Sequence, residues 1–84
     1  MPYGLLIRTS AEKEMDSLPQ SIHKRISAKI LALQTDPRPI GTKKLKGVEG
    51  YRLRVGDYRV IYTIDDRNRS IIVAVVAHRR EAYR

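Results

Sequence analysis

Arg52, Arg54 and Arg59 are the residues of this chain whose type and spacing could do chemistry. They lie in Tyr51-Arg-Leu-Arg-Val-Gly-Asp-Tyr-Arg-Val-Ile-Tyr62, two alternating runs separated by Gly56-Asp57, a pair suited to a two-residue hairpin turn. Such a turn sets Val55 opposite Tyr58, Arg54 opposite Arg59, Leu53 opposite Val60 and Arg52 opposite Ile61. One face then carries Tyr51, Leu53, Val55, Tyr58, Val60 and Tyr62, and these are expected to pack in the core. The other face carries the three guanidiniums, exposed and away from the core. Like charges opposite one another on a sheet are destabilising, so this face is expected to receive an anion. Planar guanidinium forks match the oxygens of phosphate.

The wider charge distribution points the same way. The 84 residues carry 17 Lys and Arg against 9 Asp and Glu, a net charge of +8. Residues 1–42 hold six cations and four acids, net +2, whereas residues 43–84 hold eleven and five, net +6. A field of that sign attracts polyanions. Nucleic acid is the first candidate and an anionic membrane surface the second. The basic half reads as strands rather than as a basic amphipathic helix, which disfavours the membrane. Lys43, Lys44 and Lys46, set between Gly41, Gly47 and Gly50, form a basic loop that serves either RNA contact or solubility.

The same composition limits other classes. There are no cysteines, so neither disulfides nor thiolate chemistry, in keeping with a reducing cytoplasm. No apolar run approaches the roughly 20 residues that span a bilayer, and the opening Met-Pro-Tyr-Gly-Leu-Leu-Ile-Arg is too short for a signal peptide. His23 and His78 are far apart in the chain, and no Asp/Glu/His cluster has metal-ligand spacing. No metal and no cofactor is expected, and no P-loop or Ser-His-Asp set is present.

The elements that must position the arginines can be read along the chain. Tyr3 to Arg8 reads as a short strand. Thr9 or Ser10 can cap a helix running to about Leu18, with Glu12 and Glu14 in its first turn. Pro19 suits the first turn of a second helix, whose stripe is Ile22, Ile26, Ile30 and Leu33, widened by Leu31. Asp36-Pro37-Arg38-Pro39 ends it. The basic loop covers residues 40–50; the hairpin follows, then a turn at residues 65–69. Ser70 to Ala77 is a continuous apolar run expected to be a strand buried on both faces. The expectation is one α+β domain over residues 1–84: an N-terminal strand, a helical hairpin, then a three-stranded antiparallel meander, in one mostly antiparallel sheet with the helices on one face.

Two stretches resemble the RelE/ParE toxin superfamily, and its RelE branch more closely: KKLKGVEGYRLRVGDYRVIYTI (residues 43–64) and AHRREAYR (residues 77–84). The resemblance implies a RelE-like fold and the toxin of a type II toxin–antitoxin pair, cytoplasmic, held inactive by a cognate antitoxin in a hetero-oligomer. RelE-branch toxins cut messenger RNA in the ribosomal A site. The ParE branch shares the fold but poisons DNA gyrase, which is the alternative reading, with an inactive RNA- or antitoxin-binding module a third. By resemblance, Arg52 and Arg54 take positions where relatives carry two basic residues, often lysines. Arg59 matches the arginine that holds the scissile phosphate, and Arg79 the one that stabilises charge or helps the leaving group. Tyr83 matches the C-terminal tyrosine that orients the RNA. Where a relative uses lysine as general base this chain has arginine, which stays protonated.

RNA can be cut without metal when its own 2′-OH attacks the neighbouring phosphate. The enzyme then aligns the attack, accepts a proton, stabilises a phosphorane-like charge and helps the 5′-oxygen leave. Two proton acceptors stand open. His78 is the one side chain of the basic half that ordinarily titrates near neutrality; otherwise water takes the proton while the arginines align and stabilise.

Overall fold

A computed structural model describes residues 2–78. The chain runs through β1 (Gly4–Ile7), α1 (Thr9–Asp16), α2 (Gln20–Ala32), β2 (Thr42–Lys44), β3 (Tyr51–Val55), β4 (Tyr58–Asp65) and β5 (Ser70–His78). The five strands form one sheet in the order β1-β5-β4-β3-β2. β2 to β5 are antiparallel neighbours, and β1 lies parallel to β5. α1 packs on β5 and α2 on β3, so both helices cover one face. The expected α+β architecture is present, with a meander of four strands rather than three. The additional strand, β2, falls in the segment read as loop. Three residues with two adjacent lysines carry no alternation by which a strand could be recognised.

Local chemistry explains where the helices begin. The Arg8 N–H donates to the Val73 carbonyl at 2.9 Å, so the chain stays bonded to β5 until α1 starts. Arg8 is therefore the N-cap, with no side-chain cap bond, and Thr9 lies inside the first turn instead of capping it. α1 stops at Asp16, and the Ser17 hydroxyl donates to the Glu14 carbonyl at 2.7 Å. Pro19 caps α2 from just outside. Ile26, Ile30 and Leu33 are buried while Ile22 packs at the rim. Leu31 is 58% exposed, so the stripe is narrower than expected.

The hairpin forms in the expected register, with Val55 opposite Tyr58, Arg54 opposite Arg59 and Leu53 opposite Val60. Gly56 takes φ 60° and Asp57 stays out of the positive region, which is the II′ pattern. Tyr62 is 0% exposed, and Tyr51 and Tyr58 pack against the core from its edge.

β5 departs from expectation. It pairs regularly with β4 from Ser70 to Val73, then again from Val75 to His78, and Ala74 is left without a partner in the ladder. This bulge switches the parity of the strand. Ile71 and Val73 point to the helices before it and Val76 after it, while Val75 is 39% exposed on the other face. The unbroken apolar run reflects that switch, with burial on the outer face reaching Ala77 but not Val75.

Candidate functional site

The sheet face away from the helices gathers the candidate residues in two adjacent rows. The first row runs Lys43, Arg52, Ile61, Val75, and the second Arg54, Arg59, Ala77. Four cations thus stand on three neighbouring strands, about 4.8 Å apart, and neither row contains a carboxylate. The two-residue turn makes Arg54 and Arg59 a non-hydrogen-bonded pair, the type that brings facing side chains closest.

These cations differ in exposure. Arg54 is exposed, and its Nε donates to the Gly56 carbonyl at 3.1 Å. Arg52 is half-buried. Arg59, expected to be exposed and clear of the core, is only 8% exposed, and it is the one charged side chain buried among the described residues. It sits on β4, between β3 and β5, and the burial reaches its guanidinium Nε. Water screens the charge less there, which strengthens its attraction for an arriving anion.

Other expected residues fall elsewhere. Lys44 pairs with Tyr51 and so alternates to the opposite face, and Lys46 lies in the loop beyond β2. His78 pairs with Tyr58, and the two rings meet edge-on at 5.3 Å and 85°. Tyr58 packs against the core, so His78 is on the helix side of the sheet and not among the arginines. Arg79 and Tyr83 lie outside the described residues. Among the described residues no group of three or more His, Cys, Asp or Glu could hold a metal ion, and no helix is long and apolar enough to cross a membrane.

One polar cluster was not legible in the sequence. Arg38 meets both Asp66 oxygens, at 3.2 and 2.7 Å, and Asp66 also accepts the Tyr3 hydroxyl at 2.7 Å. The bond from Arg38, then that from Tyr3, holds the Asp66 carboxyl below the ordinary carboxylate range. The bond to Asp66 pushes the Tyr3 phenol up, and burial does the same to Tyr62. The partners are 28 and 63 positions apart, so no local spacing announces them.

The fold agrees with comparisons to known proteins. The family model described as the ParE toxin of the type II toxin–antitoxin system parDE matches residues 5–83. Toxin RelE of Mycobacterium tuberculosis is 31% identical, covering 99% of this chain and 88% of its own length. The crystal structure of the archaeal RelE–RelB complex from Pyrococcus horikoshii OT3 superposes with TM-score 0.84 at 30% identity, over 94% of this chain and 97% of that one. The toxin–antitoxin complex RelBE2 from M. tuberculosis gives TM-score 0.83 at 27% identity, over 94% and 100%. The chain belongs to the RelE/ParE family of type II toxin–antitoxin toxins.

Proposed function

We propose that this toxin is a RelE-like endoribonuclease that acts in the cytoplasm on messenger RNA held in the ribosomal A site, and that a cognate antitoxin binds and silences it. The observation that carries the reading is the outer face bearing Lys43, Arg52, Arg54 and Arg59 with no acid in its rows. Arg59 grips the scissile phosphate from its buried position, and Arg52 and Arg54 offset charge as the 2′-oxygen attacks. Lys43 extends the contact to the RNA backbone. Arg79 would assist the departing 5′-oxygen and Tyr83 would orient a base. With His78 on the helix side, the proton leaving the 2′-OH passes to water, and the protein contributes alignment and charge stabilisation. The ribosome supplies part of the positioning, since a small sheet has few groups with which to hold RNA. The relatives named RelE and the neighbours solved with RelB support this reading; the family model's ParE description favours gyrase as the competing target.

The deciding experiment treats translating ribosomes with purified protein in EDTA and maps the cut ends. Cleavage of ribosome-bound message is expected, with little cutting of free RNA and a 2′,3′-cyclic phosphate or 3′-phosphate upstream. A 3′-OH end would rule out 2′-OH attack. Intact messages with inhibited gyrase supercoiling would transfer the assignment to the gyrase reading.

A further inference from the structure

We propose that Arg38 is a positioning residue: by clamping Asp66 and Tyr51 it holds the edge strand β2 in place, and so sets Lys43 beside Arg52 in the basic face. The proposal rests on the reading of that face as an RNA-contacting surface. β2 has three residues and one neighbour, and short edge elements are the first to open locally.

The segment that delivers β2, residues 36–41, is fastened from the helix side of the sheet. The buried Tyr62 hydroxyl donates to the Pro37 carbonyl at 2.7 Å, and the Thr42 N–H to the Pro39 carbonyl at 3.1 Å. Between these anchors the Arg38 guanidinium lies 5.1 Å from the Tyr51 ring centroid, with Nε donating to the Tyr51 hydroxyl at 3.1 Å. Its terminal nitrogens hold Asp66, which Tyr3 also holds. Tyr3 in turn donates its N–H to the Gln34 carbonyl at 2.8 Å and accepts from Gln34 Nε2 at 2.9 Å. One guanidinium therefore joins the α2–β2 loop, β3 and the β4–β5 turn, with the residue before β1 attached through Asp66. An isolated exposed ion pair contributes little, whereas a bidentate one within a network contributes more. Tyr51 precedes Arg52 in the chain and pairs with Lys44, while Arg52 pairs with Lys43. Slack in the clamp reaches the basic row through these two pairs.

Asp66→Asn in the full chain separates positioning from charge by sign. Removing an anion from a cationic protein tightens RNA binding by electrostatics alone. Loss of Lys43's placement weakens it. With a short single-stranded RNA as probe, affinity is expected to fall roughly threefold to tenfold, and the salt slope to lose about one. In a Lys43→Ala background the same change should cost no further affinity. The amides of Thr42 and Lys43 should exchange with solvent on the order of tenfold faster, with Val60 and Tyr62 unchanged. Arg38→Ala should reproduce the exchange result. If Asp66→Asn does not fold, Tyr3→Phe, which removes one bond to the same carboxylate, should show it at smaller amplitude. Unchanged exchange at Thr42 and Lys43 in the folded variants overturns the clamp. Faster exchange with equal or tighter RNA binding overturns its link to Lys43. If Lys43→Ala itself binds RNA like the wild type, the reading of the basic face has failed, and the exchange data still decide the clamp.

Discussion

Arg54 and Arg59 face each other across β3 and β4, an arrangement of like charges that is destabilising in itself. Stability and function should therefore part company at this pair. Arg59→Met keeps most of the buried stem and removes the charge. It is expected to fold and to lower toxicity or cleavage by about 100- to 1000-fold. Urea melts and growth assays at matched expression measure both. A clear loss of stability with full toxicity would make Arg59 a structural cation. Tyr62 tests the opposite case. Its hydroxyl reaches the Pro37 carbonyl from a fully buried ring, so Tyr62→Phe should cost about 0.5–1.5 kcal/mol in a urea melt. An unchanged midpoint would show that the bond adds nothing to stability. At this scale the sequence was informative about side-chain face and silent about depth. Alternation placed Arg52, Arg54 and Arg59 together, but it cannot tell an exposed strand position from one enclosed by neighbours, so the burial of Arg59 was not legible. The face of His78 was hidden for a different reason, because it lies beyond a bulge and simple counting along β5 assigns it the wrong side.

The bulge at Ala74 and the clamp at Arg38 are the features that govern the elements. Deleting Ala74 joins Val73 directly to Val75, and each side chain keeps its present face because Ala74 has no partner in the ladder. The variant is expected to fold, with the extra twist of the bulge removed, and to lose activity because the strand carrying Ala77 beside Arg59 is re-aimed. Retained toxicity in a folded deletion variant would count against the bulge as a positioning feature. The clamp has a pH window that follows from its shifts. Asp66 is held below the ordinary carboxylate range. Its contribution is present above the unfolded value of about 3.9 and is lost as pH falls through the lower folded value. The Tyr3 phenol is raised; its contribution is present below the unfolded value of about 10 and is lost as pH rises through the folded one. β2 should keep its amide protection from about pH 4 to about pH 10, as a titration followed by NMR would reveal. Loosening near pH 6 would assign the hold on β2 to another group. The hairpin, both helices and β5 were legible because period and turn chemistry are local. β2 was not, because its placement depends on contacts from Pro37, Arg38 and Thr42 to residues far along the chain.

For the whole molecule, a small domain with net charge +8 combines a limited core with self-repulsion, and both limit its stability alone. A partner that binds only the folded state adds about 4 kcal/mol when present at 1,000 times its Kd. For a domain of this size each kcal/mol moves the melting temperature by about 4–8 °C. If the neighbouring gene product is the antitoxin, its complex with this chain should melt on the order of 15–30 °C above the free toxin. The site predicts the partner's chemistry as well. An acidic segment laid over Lys43, Arg52 and Arg54 would bind through charge that salt screens, so affinity should fall as ionic strength rises. The segment should also order on binding. Calorimetry over a salt series, with thermal melts of the free and bound chain, tests both. An antitoxin whose affinity ignores salt while toxicity is still suppressed would place its grip on the apolar parts of the sheet, such as Leu6 and Val75, which are 59% and 39% exposed. In that case silencing would work by a route other than covering the arginines, and Lys43→Ala would leave antitoxin affinity unchanged.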